Sequence, residues 1–439
     1  MMKLFMYMFV MFLYFFKNIS WSFFQMMILF IMLMFINYSK FSFFSSISYN
    51  YGIDFYSYGL IILTLLIISL MIVSSNLINN TFLSNFFLFV NLMLCLSLML
   101  VFSSLNMLVM YLFFEFSLLP LLILIYIWGY QPERLISGLY LFFYTLFASL
   151  PFLLIIIYLL INNMTLYFDM YFYIPYSFMI HMFLIFAFLV KLPMFMVHFW
   201  LPKAHVQAPV AGSMILAGLM LKIGGYGFIR FMNLYELPFL NYSYIWFSLS
   251  IIGCILVSII CLTQGDVKCL IAYSSVAHMG VCMIGFISMT KWGVLGSYLM
   301  MISHGFCSSG LFCLANFSYE RYFSRSFFLN KGLINLMPSM AFMWFFFCCF
   351  NMSCPPSLNF FSEIFIINSM LMYWYNSFIY FIFISFFSAC FSYFLYSYIQ
   401  HGVSHLFYSY SLGSTREYML MFVHLVPLLL MILSLNFFY

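Results

Sequence analysis

Charged residues are scarce in this sequence: Lys, Arg, Asp and Glu make up 5% of its 439 residues, against 67% hydrophobic residues. A soluble protein needs polar faces toward water, and the long apolar runs here leave none. A membrane β-barrel would alternate apolar and polar residues with a period of two, whereas these runs are continuous. The missing charge and the missing alternation together indicate a polytopic helical membrane protein.

Cysteine pairs with the spacing of a metal site are also missing. The eleven cysteines lie mostly in apolar segments, none forms a CxxC motif, and the densest cluster is Cys348, Cys349 and Cys354. Iron–sulfur and zinc sites need several thiolates that converge at ligand spacing. We therefore expect the cysteines to be small buried apolar residues, and we expect no metal, cofactor or redox centre in this chain.

Glycine and proline are few, and many apolar positions are filled by Phe, Tyr and Met, with 63, 35 and 37 residues of each. This bias is typical of a very AT-rich coding sequence, as in many organelle genomes. Residues 1–16 form an apolar run edged by Lys3 and Lys17. They lack the Arg- and Ser-rich amphipathic pattern of an imported transit peptide, and no cleavage site follows. We interpret the run as the first membrane span.

Polar and turn-rich points divide the chain into fourteen predicted membrane helices. These are residues 2–16, 21–37, 57–74, 85–103, 105–128, 138–161, 177–200, 209–233, 243–263, 267–288, 291–317, 337–371, 377–400 and 418–437. An even number of spans places both termini on one side of the membrane.

Loop cations indicate which side that is. Eight lie opposite the termini, at Lys17, Arg134, Lys203, Lys268, Arg321, Arg325, Lys331 and Arg416, and four lie on the terminal side, at Lys3, Lys40, Arg230 and Lys291. Because positive charge is retained on the inner side, both termini are predicted to face away from the matrix or cytoplasm.

Proline interrupts two of the predicted spans. Pro193 follows Lys191 by two residues in one of them, and Pro355 and Pro356 precede Glu363 in the other. Proline removes a backbone donor, which a membrane tolerates only where other groups replace the lost bond. Broken helices at matching places in two halves are typical of inverted-repeat transporters, whose ion path runs near the midplane.

The matching breaks predict a domain organisation. We expect two inverted five-helix repeats, residues 81–233 and 240–400, each with its broken helix in fourth position. Three N-terminal helices in residues 1–80 precede them, and a C-terminal helix in residues 401–439 follows them.

Four ionisable residues lie deep inside apolar spans: Glu115, Lys191, Lys222 and Glu363. A charge at the centre of a membrane helix costs about 2.5 to 3.5 kcal/mol on insertion scales, so such residues usually pair or line a polar path. Burial disfavours a charged lysine and a nearby carboxylate favours it, so Glu115 and Lys191 beside a proline form a switchable proton carrier. The alternatives are a tethering ion pair for Glu115 and a headgroup-boundary position for Glu363.

Lys222 lies among small residues. Gly218 stands one turn before it and Gly225 one turn after it, a pattern that indicates close helix packing. No strand precedes the glycines around it, which argues against a nucleotide-binding loop.

His278 and His304 lie on two adjacent spans, with Ser274 and Ser275 on the predicted face of the first and Ser297 and Ser308 on that of the second. Histidines with hydroxyls at helical spacing can relay protons, although each alone is as well explained as a satisfied buried histidine. The remaining histidines are His198 and His205 around the first break, and His181, His401, His405 and His424, which we predict to be interfacial.

The segment VKLPMFMVHFWLPKAHVQAPVAGSMILAGLMLKIGGYGFIR, continued by DVKCLIAYSSVAHMG and SHGFCSSGLF, resembles the antiporter-like membrane subunits of respiratory complex I. These motifs cover roughly residues 105–365, and the chain ends match mainly in hydropathy. The acidic Glu363, where sister subunits have lysine, favours the chain 4 type over the chain 2 and chain 5 types, as does the length. Gln207 is a departure, because many relatives carry glutamate there.

The resemblance implies a fourteen-helix subunit with a polar axis along the membrane plane. It implies Glu115 and Lys191 as a glutamate–lysine pair, Lys222 as a bridging lysine, His278 and His304 as connecting histidines, and Glu363 as the terminal glutamate. NADH, FMN, iron–sulfur clusters and ubiquinone are expected in other subunits. The expected partners are membrane lipids and other complex I membrane subunits, especially the two sister antiporter-like subunits and a long lateral helix, with no nucleic acid. The expected location is the mitochondrial inner membrane, with both termini on the intermembrane-space side.

Three functions compete on these grounds. The favoured one is a proton-translocating subunit of a redox-driven pump. The second is an Mrp-type cation/proton antiporter subunit, which should exchange sodium without an electron donor. The third is a structural membrane anchor whose buried charges only fix packing, in which case Lys222→Ala would weaken assembly and leave pumping intact.

Overall fold

The computed structural model describes residues 2–14, 20–37, 45–169, 177–403 and 411–433. Its backbone is mostly helical because an apolar segment in lipid must satisfy its own N–H and C=O groups. Among the described residues, nine helical segments are long and apolar enough to cross a membrane, and five shorter apolar helices accompany them. The predicted all-α polytopic class is confirmed.

The helices up to the middle of the chain are α1 (Met2–Tyr14), α2 (Trp21–Ile36), α3 (Phe55–Ser74), α4 (Asn76–Asn79), α5 (Ser84–Ser103), α6 (Met107–Phe116), α7 (Leu118–Trp128), α8 (Arg134–Asn163), α9 (Phe178–Lys191), α10 (Trp200–Gln207), α11 (Val210–Ile215) and α12 (Leu221–Leu234). A π-helix, Leu216–Met220, lies between α11 and α12. The chain continues with α13 (Glu236–Leu262), α14 (Val267–Ile287), α15 (Lys291–Tyr322), α16 (Leu333–Leu336), α17 (Pro338–Asn351), α18 (Leu358–Tyr373), α19 (Ser377–Gln400) and α20 (Thr415–Leu430).

The chain forms two compact units. Unit 1 contains Met1–Lys191, Gln207–Ile215 and Leu219–Phe239, and unit 2 contains Leu192–Val206, Leu216–Gly218 and Leu240–Tyr439. Within unit 1, α9 packs against α8 and α12. Within unit 2, the 32-residue helix α15 is central and packs against α14, α18 and α20.

Both proline breaks predicted from the sequence are present. α9 ends at Lys191, and the chain runs through turns until α10 begins at Trp200. α17 ends at Asn351, and α18 begins at Leu358.

Two further irregularities contradict single helices predicted from the sequence. A turn at Ser117 separates α6 from α7 three residues before Pro120, so the span predicted over 105–128 is not continuous. The π-helix between α11 and α12 interrupts the regular helix predicted over 209–233. Continuous apolar composition does not reveal such local changes of backbone winding.

A short antiparallel hairpin of β1 (Ser45–Ser48) and β2 (Tyr51–Ile53) lies where the sequence predicts only a polar connector. Beside it in unit 1, the Leu105 N–H donates to the Asn50 carbonyl at 2.9 Å, and the Phe168 N–H donates to the Leu105 carbonyl at 3.1 Å. These bonds satisfy backbone groups that no helix can satisfy.

Candidate functional site

Glu115 lies in the last turn of α6 with its side chain half-buried. Tyr111, one turn earlier, is buried, and Ser149 of α8 lies beside both side chains. Regular helix stops just after Glu115, because the ring of Pro120 crowds the carbonyl four residues earlier and offers no N–H. The carboxyl group therefore lies where the helix backbone is interrupted.

Lys191, the last residue of α9, is 2% exposed. Its Nζ donates a hydrogen bond to the Phe114 carbonyl at 2.9 Å and lies 3.1 Å from the centre of the Phe114 ring. The Ser117 hydroxyl donates to the same carbonyl at 2.8 Å. The charges of Lys191 and Glu115 interact, yet in the described part of the chain these two side chains form no ion pair within 4.0 Å.

Arg230 and Asp54, also in unit 1, show the geometry of a closed buried ion pair. The Arg230 guanidinium contacts the two carboxylate oxygens of Asp54 at 2.6 and 2.7 Å. It also donates to the Tyr226 hydroxyl, which donates to the Phe102 carbonyl, both at 2.8 Å. Asp54 in turn caps the first turn of α3. The prediction of Arg230 as a loop cation is wrong, because the side chain is buried in α12, where Asp54 offsets the cost of its desolvation.

Lys222 lies in α12 and is 0% exposed. This helix packs closely on α9, because a methyl group at Gly227 would collide with the Phe188 ring. The π-helix that ends at Met220 changes the helical register just before the lysine. The face that regular helical spacing assigns jointly to Lys222 and Gly218 is therefore not preserved.

His278 of α14 and His304 of α15 are neighbours in unit 2. Both are buried, and their ring centres lie 5.7 Å apart with the planes at 48°. Asn351, at the end of α17, lies beside His278. The flanking serines are used differently from the prediction: Ser274 and Ser308, for example, donate their hydroxyl protons to carbonyls of their own helices.

Glu363 lies in α18, half-buried, and accepts a hydrogen bond from the Ser353 hydroxyl at 2.5 Å. Ser353 has a φ of 60°, the left-handed conformation that commonly ends a helix. The side-chain amide of Asn359 donates to the Phe350 carbonyl at 2.7 Å and so joins the two sides of the break. The broken helix therefore holds a donor against the carboxyl group.

A small cavity in unit 2 brings His278 and Glu363 together. Both line its wall, with Ser258 of α13 and with Ser385 and Ser388 of α19. It has room for about one water molecule, and its polar wall offers the two or more partners that a buried water needs. These three serines are not among the predicted site residues. Serine is common along the whole chain, and only the packing of the helices shows which serines face the cavity.

Other side chains also differ from their sequence assignments. Lys268, counted as a loop cation, is buried in α14, with its Nζ 5.7 Å from the centre of the Tyr319 ring. His181 and His424, predicted to be interfacial, are buried. Lys17, Lys40 and His405 lie outside the described residues.

The first break contains His198. α9 ends at Lys191 and α10 begins at Trp200, and the His198 side chain between them is buried. Gln207, at the end of α10, donates from Nε2 to the Glu133 carboxylate at 3.1 Å. The Gln207 amide can donate to the Glu133 carboxylate. A glutamate at position 207 could make this contact only in its protonated form, because two carboxylates repel each other.

Proton donors and acceptors lie close together in each unit. In unit 1, Glu115 and Lys191 are neighbours, and Lys222 is buried in α12, which packs on α9. In unit 2, His304 lies beside His278, which shares a cavity with Glu363. Across the described ranges, no group of three or more His, Cys, Asp or Glu side chains is arranged to hold a metal ion. All eleven cysteines are unbridged, and seven of them are buried.

Comparison with known proteins assigns the chain to a family. Residues 104–392 match the family model described as NADH:quinone oxidoreductase/Mrp antiporter, TM, and residues 1–101 match the one described as NADH-ubiquinone oxidoreductase chain 4, amino terminus.

Relatives named NADH-ubiquinone oxidoreductase chain 4 match nearly the whole chain. The Aedes aegypti protein is 50% identical over 99% of this chain and 98% of its own, and the Ceratitis capitata protein is 50% identical over 90% and 89%. A chain in the structure of respiratory complex I from Thermus thermophilus with bound NADH has the same fold, with a TM-score of 0.86 over 97% of this chain and 93% of that chain, at 20% identity. This chain belongs to the NADH-ubiquinone oxidoreductase chain 4 family.

Proposed function

We propose that this chain is the chain 4 subunit of respiratory complex I and that it translocates protons across the membrane. Electron transfer from NADH to ubiquinone, with FMN and iron–sulfur clusters, takes place in other subunits. The family membership and the shared fold support this assignment. The role of this chain is to carry protons among its buried ionisable side chains.

The contact made by Lys191 is the observation that carries the proposal. Its Nζ is bound to the neutral Phe114 carbonyl beside Glu115 and does not form a closed ion pair like that of Arg230 and Asp54. A lysine held this way can gain or lose a proton as the carboxylate approaches or withdraws. At an effective dielectric constant near 20, unit charges about 4 Å apart interact by about 4 kcal/mol. Moving one charge across about 100 mV costs about 2.3 kcal/mol, so the two energies are comparable.

The proposed path has a segment in each compact unit. In unit 1, Glu115 tunes Lys191, and Lys222 acts as the bridging group. In unit 2, His304 and His278 connect to Glu363, which terminates the path. The cavity that His278 and Glu363 both line supports the last step, since it has room for a bridging water between their helices.

We further propose the finer organisation and setting of the chain. Residues 81–233 and 240–400 form two inverted repeats, and the partners are the two sister antiporter-like subunits and a long lateral helix. The membrane is the mitochondrial inner membrane, with both termini on the intermembrane-space side. Burial of Arg230 and Lys268 removes one cation from each side of the loop count, so the direction of the positive-inside bias is unchanged.

Replacing Lys191 tests the proposal. Lys191→Ala should lower proton pumping and, through coupling, electron transfer, because the proton carrier beside Glu115 is gone. Pumping is measured with a pH-sensitive dye in membrane vesicles, NADH oxidation is measured in parallel, and native gel electrophoresis reports assembly. Lys203→Ala, on the exposed side of α10, is the matched control. Full pumping by an assembled Lys191→Ala complex would refute the role of Lys191.

The same assay separates the two alternatives. An Mrp-type antiporter subunit, a class included in the description of the matching family model, would exchange sodium for protons without NADH. If the chain is a structural anchor, Lys222→Ala should weaken assembly and leave pumping by the assembled complex intact. The proposed path instead predicts loss of pumping in a complex that assembles.

A further inference from the structure

The end of α17 forms a capped turn in which two cysteines face each other. The Cys354 N–H donates to the Cys349 carbonyl at 3.0 Å, and the Ser353 N–H donates to the Phe350 carbonyl at 3.1 Å. With Ser353 in the left-handed conformation, these bonds define a Schellman motif, which brings the side chain after the left-handed residue against the last helical turn. In this chain both of those side chains are cysteines.

The two thiols have the proximity and access that a disulfide requires. Their side chains are close enough to interact, and both residues are half-buried, whereas the neighbouring Cys348 is buried. A disulfide needs the two Cα atoms within about 7 Å, which the backbone hydrogen bond between the two residues satisfies. The cysteines are therefore placed to react with each other.

We propose that Cys349 and Cys354 form a reversible intramolecular disulfide when the complex meets a small membrane-permeant peroxide such as hydrogen peroxide. One cysteine loses its proton and attacks a peroxide oxygen as the thiolate; the O–O bond breaks, the other oxygen leaves as water with that proton, and a sulfenic acid remains. The second sulfur then attacks the sulfenic sulfur, the S–O bond breaks, and the hydroxyl leaves as a second water with the proton of the second thiol. The thiols lose two electrons and two protons, and the peroxide is reduced to two waters. A dithiol reductant reverses the reaction.

The disulfide would act on the proposed terminal group of the proton path, so its functional effect rests on the proposed function. Ser353 lies inside the ring that the bond closes, and its hydroxyl donates to Glu363. With the turn closed by the disulfide, Ser353 keeps its hydrogen bond to Glu363. The carboxyl group is then hindered from giving up this bond and passing a proton to an acceptor. Oxidation should therefore cause a loss of pumping that reduction restores.

The modification itself is tested by mass spectrometry on the assembled complex in membranes. After treatment with hydrogen peroxide, free thiols are alkylated under denaturing conditions. The wild-type peptide that contains Cys348, Cys349 and Cys354 should weigh two hydrogen atoms less, and of these three cysteines only Cys348 should be alkylated. Cys349→Ser or Cys354→Ser should prevent this change. Alkylation of both Cys349 and Cys354 after oxidation would overturn the proposal. This result does not depend on whether the chain carries protons.

The effect on function is tested by NADH-driven pumping before oxidation, after oxidation and after addition of dithiothreitol. Wild type and Cys390→Ser, a half-buried cysteine on α19, should lose pumping and recover it. Cys349→Ser and Cys354→Ser should pump at the same rate throughout. Equal loss in all four proteins, or a fully formed disulfide with unchanged pumping, would overturn the regulatory role.

Discussion

Glu115→Gln removes the carboxylate charge next to Lys191 while keeping the size of the side chain and its polar contact with Ser149. The two groups form no ion pair within 4.0 Å in the described structure, but their charges still interact. At an effective dielectric constant of about 20, unit charges about 5 to 7 Å apart interact by about 2 to 3 kcal/mol. Protonation of the lysine then becomes about 30- to 150-fold less favourable, and the pH profile of pumping should move about 1.5 to 2 pH units toward acid.

The assay is NADH-driven pumping in vesicles measured across a range of pH, with assembly checked by native gel electrophoresis. Glu236→Gln, at the exposed start of α13, is the matched control and should leave the profile in place. At neutral pH the Glu115→Gln complex should pump slowly, and acid should partly restore the rate, because protons replace the missing electrostatic support. An unchanged profile, or the same shift in both variants, would refute the interaction between Glu115 and Lys191 as the source of switching.

Three further predictions follow from contacts in the two units. Asp54→Asn should lower the stability of the complex by about 3 to 5 kcal/mol, because Arg230 is left buried without its carboxylate. Adding Arg230→Met to this variant should recover part of the lost stability. A double variant that is less stable in thermal melts than Asp54→Asn alone would contradict the ion pair. Burial acts to raise the pKa of Asp54, but the charge and hydrogen bonds of Arg230 together hold it below its ordinary value. The stabilisation by this ion pair should therefore be complete at neutral pH and disappear as the pH falls through that lowered pKa. Thermal melts of wild type and Asp54→Asn at graded pH measure this. A difference in melting temperature between the two proteins that stays the same on acidification would contradict it. Ser388→Ala removes a hydroxyl from the cavity that His278 and Glu363 line, and it should slow pumping. Ser392→Ala, one turn further along α19, should not. Equal pumping rates in the two variants would exclude Ser388 from the path.

The helical class and both proline breaks could be predicted because each has a strong local signal. Continuous apolar runs leave no other membrane fold, and proline cannot continue the backbone ladder. The buried ionisable residues could also be chosen from the sequence, since Lys191 and Lys222 stand within runs that otherwise lack charge.

What could not be predicted depends on contacts between distant parts of the chain. Asp54 and Arg230 are 176 positions apart, so nothing near either residue reveals that the arginine is buried and paired. Lys268 likewise stands beside a polar turn in the sequence and becomes buried only when α14 packs against α15. The serines of the cavity have no distinguishing local pattern, because hydroxyls bonded to their own helix occur throughout the protein.

The π-helix of residues 216–220 has an angular consequence for Lys222, the proposed bridging lysine. Each residue of an α-helix turns the chain by about 100°, so one additional residue in a turn rotates everything that follows by that amount. The direction in which Lys222 points relative to α11 is thus determined by five apolar residues that themselves carry no charge. Deleting one of these five residues would leave every ionisable group in the sequence unchanged. The Lys222 side chain would nevertheless point toward a different neighbour.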